Sequence, residues 1–270
     1  MGSLIDNDRI SLTLGDDGVA QMRLARPDKL NALDRAMFDA ITQAGEVLAS
    51  ARGLRAVVLS GEGKAFCAGL DLASLAGAPD PRAKDLAART YGDSNHFQVV
   101  AMQWRTLPVP VIAAVHGVCF GGGLQIASGA DIRVVAPDAR LSIMELKWGI
   151  VPDMGGFALW RGMVRSDVLR ELIYTNREFS GEEAQALGLA TIVDPDPLAR
   201  ATAIATEIAG KNPDAIRAAK ALANKAPDLS VPEILLEESL AQQGLIYSKN
   251  QLEAVMSQMQ HRAPKFDDPD

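Results

Sequence analysis

Three consecutive glycines, Gly121–Gly123, have the residue type and setting needed to bind a developing negative charge. They follow the apolar run Val109–Val115, which is typical of a buried strand, and precede Leu124–Ser128, which is typical of the start of a buried helix. Glycines let the backbone approach a ligand closely, and free N–H groups at a helix start favour an anion. We interpret the triplet as part of an oxyanion hole, with a tight packing turn as the alternative.

The residues around the triplet exclude three better-known motifs. Ile126 stands where a dinucleotide-binding G-x-G-x-x-G motif requires glycine, and no Lys-Ser or Lys-Thr pair follows, as it would in a P-loop. No G-x-S-x-G nucleophile motif occurs in the chain. Stabilisation of an oxyanion by backbone groups therefore remains the chemistry to pursue.

Two further features could complete such a site. The segment Lys64–Leu72 follows the apolar strand Ala56–Ser60 and contains a glycine turn, so a second backbone N–H could point at the same oxygen. Glu145 and Asp153 lie eight residues apart across a turn with Gly149 and Pro152, and carboxyl groups can carry protons in catalysis.

Taken together, these segments resemble the enoyl-CoA hydratase/isomerase (crotonase) family. Each match is weak alone, but all of them occur in the family's order between residues 10 and 195. The matching segments are Arg26–Leu33, Ala65–Leu72, Gly121–Gly123 with Ala130–Ile132, Glu145–Gly156 and Phe179–Ala190.

The resemblance implies an α/β fold, a crotonase-like spiral of repeated ββα units with a C-terminal helical region. The order β-β-α-β in the first 60 residues agrees with such a unit. We expect residues 1–197 to form the spiral core with the active site, and residues 198–270 to form a helical oligomerisation region. The expected assembly is a homotrimer or a dimer of trimers.

The resemblance also assigns the catalytic groups. The N–H groups of Leu70 and Gly122 would bind the oxygen of a thioester, and Glu145 would carry the proton. Asp153 matches a further acid of Δ3,5-Δ2,4-dienoyl-CoA isomerases; alternatively, it caps a helix that begins at Met154. Gln125 stands where family hydratases have a second glutamate, and an amide cannot exchange a proton.

This departure at Gln125 favours isomerisation of a double bond in an enoyl- or dienoyl-CoA, through an enolate. The alternatives are hydration by Glu145 alone and binding of acyl-CoA without turnover. Coenzyme A is then part of the substrate, and we expect no separate cofactor and no metal.

Contacts with the substrate are implied for several residues. Lys29, Leu30 and Ala68 match family positions that contact coenzyme A, whereas Gln125 would hold the pocket or a bound water. Trp148 either lines the acyl pocket or belongs to the core, and His116 is interpreted as structural. Arg262 and Lys265 could pair with phosphate, but a solvated tail is the favoured interpretation.

Composition limits the classes of partner. The 270 residues are 48% hydrophobic, and the formal net charge of −7 argues against nucleic acid as the main partner. Cys67 and Cys119 lie far apart in apolar turns, which favours reduced, buried thiols. We found no signal-peptide pattern and no run of 18 apolar residues, so we predict a cytoplasmic protein without a membrane partner.

Periodicity predicts the elements that position these groups. The segment Ala76–Tyr91 is interpreted as a surface loop, with a mobile lid as the alternative. The predicted elements are a hairpin of Ile10–Leu14 and Val19–Leu24, a helix from Asp34 to Ala51, the strand Arg55–Ser60, a helix over Ser94–Leu107, two short helices in Ala158–Tyr174, a capped helix from Ser180 to Leu187, the strand Ala190–Val193, and the C-terminal helices Leu198–Ala209, Pro213–Ala223 and Val231–Met259.

Overall fold

The computed structural model describes residues 2–73 and 80–269. Its strands are β1 (Gly2–Asp6), β2 (Ile10–Leu14), β3 (Val19–Leu24), β4 (Ala56–Gly61), β5 (Val111–Val115), β6 (Val118–Phe120), β7 (Ile132–Val135), β8 (Arg140–Ser142), β9 (Phe179–Ser180) and β10 (Ile192–Val193). Its α-helices are α1 (Arg35–Ser50), α2 (His96–Thr106), α3 (Gly122–Ser128), α4 (Gly156–Trp160), α5 (Ser166–Thr175), α6 (Gly181–Ala186), α7 (Pro197–Ala209), α8 (Pro213–Lys225), α9 (Val231–Leu245) and α10 (Lys249–Met259).

The strands form two sheets, and the chain passes repeatedly between them. A seven-stranded sheet has the order β1-β2-β3-β4-β5-β7-β10, and a three-stranded sheet has the order β6-β8-β9. The chain leaves β5 of the large sheet, forms β6 of the small sheet, passes through α3 and returns to the large sheet at β7. The path from β9 through α6 to β10 repeats this step, so the predicted ββα spiral is present.

Parallel pairing brings the carboxyl ends of the central strands to one edge of the large sheet. Strands β3, β4, β5 and β7 pair in parallel, whereas β1, β2 and β3 form an antiparallel meander. The predicted hairpin is therefore confirmed, but β1 was missed by the sequence analysis. The chain turns that follow β4 and β5 come to lie side by side, and these turns carry the candidate site.

Helix α1 shows how the sequence sets an element's limits. Its start is fixed by Asp34, whose Oδ1 accepts a hydrogen bond from the N–H of Met37 at 2.8 Å. The helix buries residues three or four apart, including Phe38, Ile41 and Leu48, and its predicted bounds are confirmed. Helix α2 likewise begins behind Asn95, in a reciprocal capping box with Gln98.

The first helix after residue 197 packs on the large sheet. Ala201 and Ala205 of α7 lie in a buried cluster with residues from β3, β4, β5 and β7. Small residues allow this helix to approach the sheet closely. Helix α7 therefore covers the outer face of the spiral core. The predicted division of the chain into two regions at residue 197 remains a prediction.

The predicted helical segment Val231–Met259 is confirmed, but it forms two helices, because the chain breaks between α9 and α10. Tyr247 has a left-handed backbone with φ of 63°, and the Oγ of Ser248 then accepts a hydrogen bond from Gln251 N. Helix α9 exposes Val231, Leu235, Leu236 and Leu240. An exposed apolar face agrees with the predicted subunit contact, but the number of subunits remains a prediction.

The segment predicted as a surface loop or lid is only partly described. Residues 76–79 of Ala76–Tyr91 lie outside the described residues. The remainder contains the 3₁₀ turn Pro81–Lys84, whose start is capped by Asp80 through the N–H of Arg82. Its function as a lid remains a prediction.

Candidate active site

Two glycine turns lie side by side at the centre of the candidate site. Cys67 N donates to Val118 O at 3.1 Å, and Phe120 N donates to Cys67 O at 3.0 Å, so the first turn runs parallel to β6. Gly69 has a φ of 87°, and a Cβ there would lie only 2.8 Å from Phe120 O. Because the two segments run in the same direction, Leu70 and Gly122 follow at the same end.

The backbone N–H groups of Leu70 and Gly122 donate to no acceptor in the part of the chain that the structure describes. Gly122 is the first residue of α3, where an N–H has no partner within its own helix. Two backbone donors without an acceptor among the described residues therefore lie on neighbouring turns, and their assignment as an oxyanion hole remains a prediction.

A cavity of about 390 Å³ opens against these turns. Among the predicted site residues, it is lined by Lys29, Ala68, Leu70, Gly122 and Glu145, which the fold brings together from four separate segments. Leu30, Gln125 and Asp153 are not among the lining residues. Leu30 instead contributes its carbonyl oxygen, which accepts a hydrogen bond from Ala68 N at 2.9 Å.

Glu145 is the buried carboxyl group of the cavity. It begins the 3₁₀ turn Glu145–Trp148, which ends at Gly149 with a φ of 73°. Its Oε1 accepts a hydrogen bond from Gln125 Nε2 at 2.6 Å, whereas its Oε2 has no hydrogen-bond partner among the described residues. A buried acceptor without a partner is unusual in a folded protein and indicates an available chemical function.

Burial raises the pKa of Glu145 above its ordinary value, and the negative charge of Asp153 raises it further. The hydrogen bond from Gln125 acts in the opposite direction, because it stabilises the ionised form. A raised pKa makes a carboxyl group better suited to accept a proton and to return it.

Gln125 lies behind Glu145 rather than at the cavity wall. It is fully buried, and its Oε1 accepts hydrogen bonds from Met154 N and Gly156 N, both at 2.9 Å. Its contact with the predicted chemistry is therefore made through Glu145. The predicted role of Gln125 in holding the pocket or a bound water remains a prediction.

Asp153 is not a helix cap, and that alternative is wrong. Helix α4 begins at Gly156 behind Gly155, without a side-chain cap. Asp153 retains accessible surface, but neighbouring atoms still crowd its carboxyl group enough to raise its pKa. It lies close enough to Glu145 for their charges to interact.

Other residues singled out from the sequence are also located. Trp148 is 46% exposed and lines the cavity, which excludes a core position. His116 lies within 3.0 Å of Gly63 O and does not line this cavity, in agreement with a structural role. Arg262 pairs with Glu253 near the C-terminus, and Cys67 and Cys119 are buried free thiols.

Sequence reasoning missed Lys147 and Asp71, which also line the cavity. Lys147 Nζ lies 5.7 Å from the centre of the Trp148 ring, and Asp71 pairs with Arg26 at 2.7 Å. The sequence carried no signal for either residue, because only the fold brings their side chains to the cavity.

Comparison with known proteins identifies the family of the chain. Residues 15–269 match the family model described as enoyl-CoA hydratase/isomerase. The chain is 33% identical over 259 residues to the peroxisomal Delta(3,5)-Delta(2,4)-dienoyl-CoA isomerase of Arabidopsis thaliana, covering 93% of each chain. It is 31% identical over 255 residues to a probable enoyl-CoA hydratase of Mycobacterium bovis, covering 93% of this chain and 95% of that protein.

Solved structures show the same similarity. The enoyl-CoA hydratase of Bacillus anthracis superposes with a TM-score of 0.87 at 29% identity, over 96% of this chain and 98% of that one. The chain belongs to the enoyl-CoA hydratase/isomerase family, and the predicted fold class is confirmed. No helix within residues 2–73 and 80–269 is long and apolar enough to span a membrane.

Proposed function

We propose that the protein isomerises a double bond of an enoyl- or dienoyl-CoA through an enolate held by Leu70 N–H and Gly122 N–H. The observation that carries the proposal is the unpartnered Oε2 of buried Glu145, in the wall of a cavity shared with both free donors. This arrangement offers one proton carrier and two hydrogen-bond donors for a thioester oxygen.

The proposed reaction moves a proton between two carbons of the substrate. Glu145 Oε2 takes a proton from the carbon next to the thioester carbonyl, and the electron pair of the broken C–H bond delocalises to the oxygen. The two N–H groups stabilise the oxyanion, and donors of this kind are worth about 2.7–4 kcal/mol each. Glu145 then returns the proton further along the chain, so no water is consumed.

A second acid group extends the proposal to conjugated substrates. The charge of Asp153 raises the pKa of Glu145, so the two carboxyl groups lie close together. In this proposal they transfer protons at opposite ends of a 3,5-dienoyl chain. Similarity to relatives named dienoyl-CoA isomerases supports this choice of substrate. Asp153, however, is not among the residues that line the cavity. Lys29 and Lys147 line the cavity as cations suited to the phosphates of coenzyme A.

The experiment compares three thioesters. Purified protein is incubated with crotonyl-CoA, a 3-enoyl-CoA and a 3,5-dienoyl-CoA, and the absorbance spectrum of each is followed. We expect turnover of the 3-enoyl or 3,5-dienoyl substrate and slower hydration of crotonyl-CoA. Faster hydration of crotonyl-CoA would identify a hydratase that uses Glu145 alone, and binding without any spectral change would identify a non-catalytic acyl-CoA binder.

A further inference from the structure

The side-chain amide of Gln125 has a fixed orientation. Two backbone N–H groups, of Met154 and Gly156, reach the same Gln125 atom at 2.9 Å. That atom must be the carbonyl oxygen, because an amide nitrogen cannot accept two N–H donors. The NH₂ group therefore faces Glu145, and the contact with Glu145 Oε1 at 2.6 Å is a donation.

The backbone at Gly156 lies close against this anchored amide. A Cβ at position 156 would lie 2.8 Å from Gln125 Oε1 and 2.6 Å from the Trp160 ring. A Cβ at Gly121 would be 3.4 Å from Glu145 Oε1, which is an ordinary van der Waals contact, so the close approach that requires glycine is the one between Gly156 and Gln125.

We propose that Gln125 is a positioning residue that occupies Oε1 of Glu145 and thereby makes Oε2 the oxygen that exchanges the substrate proton. The inference rests on the proposed function only for the role of Glu145 in turnover. An oxygen that already accepts a strong hydrogen bond is the poorer proton acceptor of the two. The other oxygen is left free, and Oε2 has no partner in the described part of the chain.

The same contact also affects the pKa of Glu145. A donor aimed at a carboxylate favours the ionised form, and this opposes both burial and the charge of Asp153. Lys29, Asp71, Lys147 and Glu178 are the other charged residues that line the cavity. Loss of the Gln125 donor should therefore make Glu145 hold its proton to a higher pH.

The test measures ionisation without any substrate. Protein labelled with ¹³C at the glutamate carboxyl carbon is titrated by NMR, and the signal of Glu145 is assigned by its loss in Glu145→Gln. The test variant is Gln125→Met, which has similar length and no donor. The matched control is Ser128→Ala, which removes a buried hydroxyl from the same helix, where Ser128 accepts a hydrogen bond from Trp160.

We expect the titration midpoint of Glu145 to move upward in Gln125→Met and to stay in place in Ser128→Ala. The acid limb of the pH dependence of kcat should move with it, and kcat should fall about tenfold or more through misplacement of the carboxyl group, with little change in KM. An unchanged midpoint in Gln125→Met would overturn the proposal. A shifted midpoint in a protein that turns over no thioester would instead overturn the proposed function.

A second variant covers the case in which Gln125→Met does not fold. Gln125→Glu retains an acceptor for Met154 N and Gly156 N, so the anchor is kept while the donor is replaced. Two carboxyl oxygens at the 2.6 Å separation seen here cannot both be ionised, so the pair should retain one proton to higher pH than Glu145 in the unaltered protein. Titration of Glu145 at the original pH would contradict the proposal.

Discussion

Glu145 and Lys220 are both buried ionisable side chains, each with 7% of its surface exposed, but they are satisfied to different degrees. Lys220 Nζ donates to Trp104 O at 2.9 Å, Val109 O at 2.8 Å and Asp131 Oδ2 at 2.7 Å. These three contacts use all three ammonium donors. Glu145 Oε2, by contrast, has no partner among the described residues and belongs to a residue in a cavity wall.

The comparison teaches that burial alone does not identify a functional group. Lys220 joins α8 to the end of α2 and the start of β5, and its pKa is lowered mainly by burial. Every N–H donor of the Lys220 ammonium group is used within the protein, so none is left for a hydrogen bond to a substrate. Glu145 is equally buried, but one of its carboxyl oxygens has no hydrogen-bond partner among the described residues. This free acceptor marks the candidate site.

Replacing Glu145 should have the largest effect on chemistry. Glu145→Gln keeps the shape and an acceptor for Gln125 but cannot carry a proton. We expect turnover of the active thioester to fall by up to about 10⁴-fold, the upper range for general acid–base catalysis, while affinity for the thioester changes within a few fold. Steady-state rates and calorimetric binding measure the two quantities. An unchanged rate would remove Glu145 from the mechanism.

Replacing Lys220 should affect stability instead. Lys220→Met leaves Asp131 without its cation and two buried carbonyl groups without a donor, so we expect a loss of about 3–5 kcal/mol in the free energy of unfolding. Urea unfolding measures this loss. The folded fraction should retain the original kcat, because Lys220 does not line the cavity.

A matched double variant separates the ion pair from general damage. Asp131→Asn combined with Lys220→Met removes both charges, so part of the lost stability should return. Additive losses in the double variant would show that the two charges do not depend on each other. Reduced kcat in folded Lys220→Met would contradict the contrast with Glu145.

The free N–H of Gly122 gives a further test of the site. Gly122→Pro removes the N–H, and Gly122→Ala keeps it; both add a Cβ that would meet Leu33 Cδ1 and Met154 Sδ at 2.8 Å. We expect the proline variant to be slower than the alanine variant by about 10²-fold, the effect of one lost oxyanion donor. Circular dichroism must show both variants folded. Equal rates would make the glycine triplet a packing turn.

The sequence was sufficient to predict the elements that repeat a simple pattern. Asp34 and the apolar spacing behind it predicted α1 to within one residue at each end, and strands β2 and β3 follow from alternation around Gly15–Gly18. The break after α9 could not be predicted, because its left-handed residue is Tyr247, and a residue other than glycine seldom adopts this backbone conformation.

The site was predictable only in part. Glu145, Leu70 and Gly122 followed from the family resemblance, since their turns have recognisable glycines. The anchoring of Gln125 had no signal, because its partners Met154 N and Gly156 N are backbone groups 29 and 31 residues further along the chain. A contact to a backbone N–H does not depend on the residue type that carries it, so such contacts can be seen only in the folded structure.

Gln125→Glu should have a smaller effect than these losses, and that effect should be a gain of hydratase activity. The variant would place a second carboxyl group beside Glu145, with one proton shared between them. One ionised and one protonated carboxyl group is the state that hydration requires, as base for water and acid for carbon. We expect hydration of crotonyl-CoA to rise at least about tenfold, equivalent to about 1.4 kcal/mol of barrier. Faster hydration by the unaltered protein than by the variant would contradict the preference for isomerisation.

The smallest expected effect is the thermal stability gained when the buried charge of Glu145 is removed. Burial raises the pKa of Glu145 in the folded protein, so its ionised form destabilises the fold at any pH above that raised value. Glu145→Gln should therefore have a Tm about 2 °C higher than the unaltered protein at pH 8, the shift expected for roughly 0.5–1 kcal/mol in a chain of this size.

The gain should depend on pH in one direction. As the pH falls through the raised pKa of folded Glu145 towards the ordinary pKa of an unfolded glutamate, the folded carboxyl group becomes neutral and the difference in Tm should disappear. Differential scanning calorimetry of both proteins between pH 8 and pH 4 measures this trend. A gain of equal size across the range would show that the buried carboxyl group has no raised pKa, and a lower Tm for the variant would place Glu145 with Lys220 among the groups that stabilise the fold.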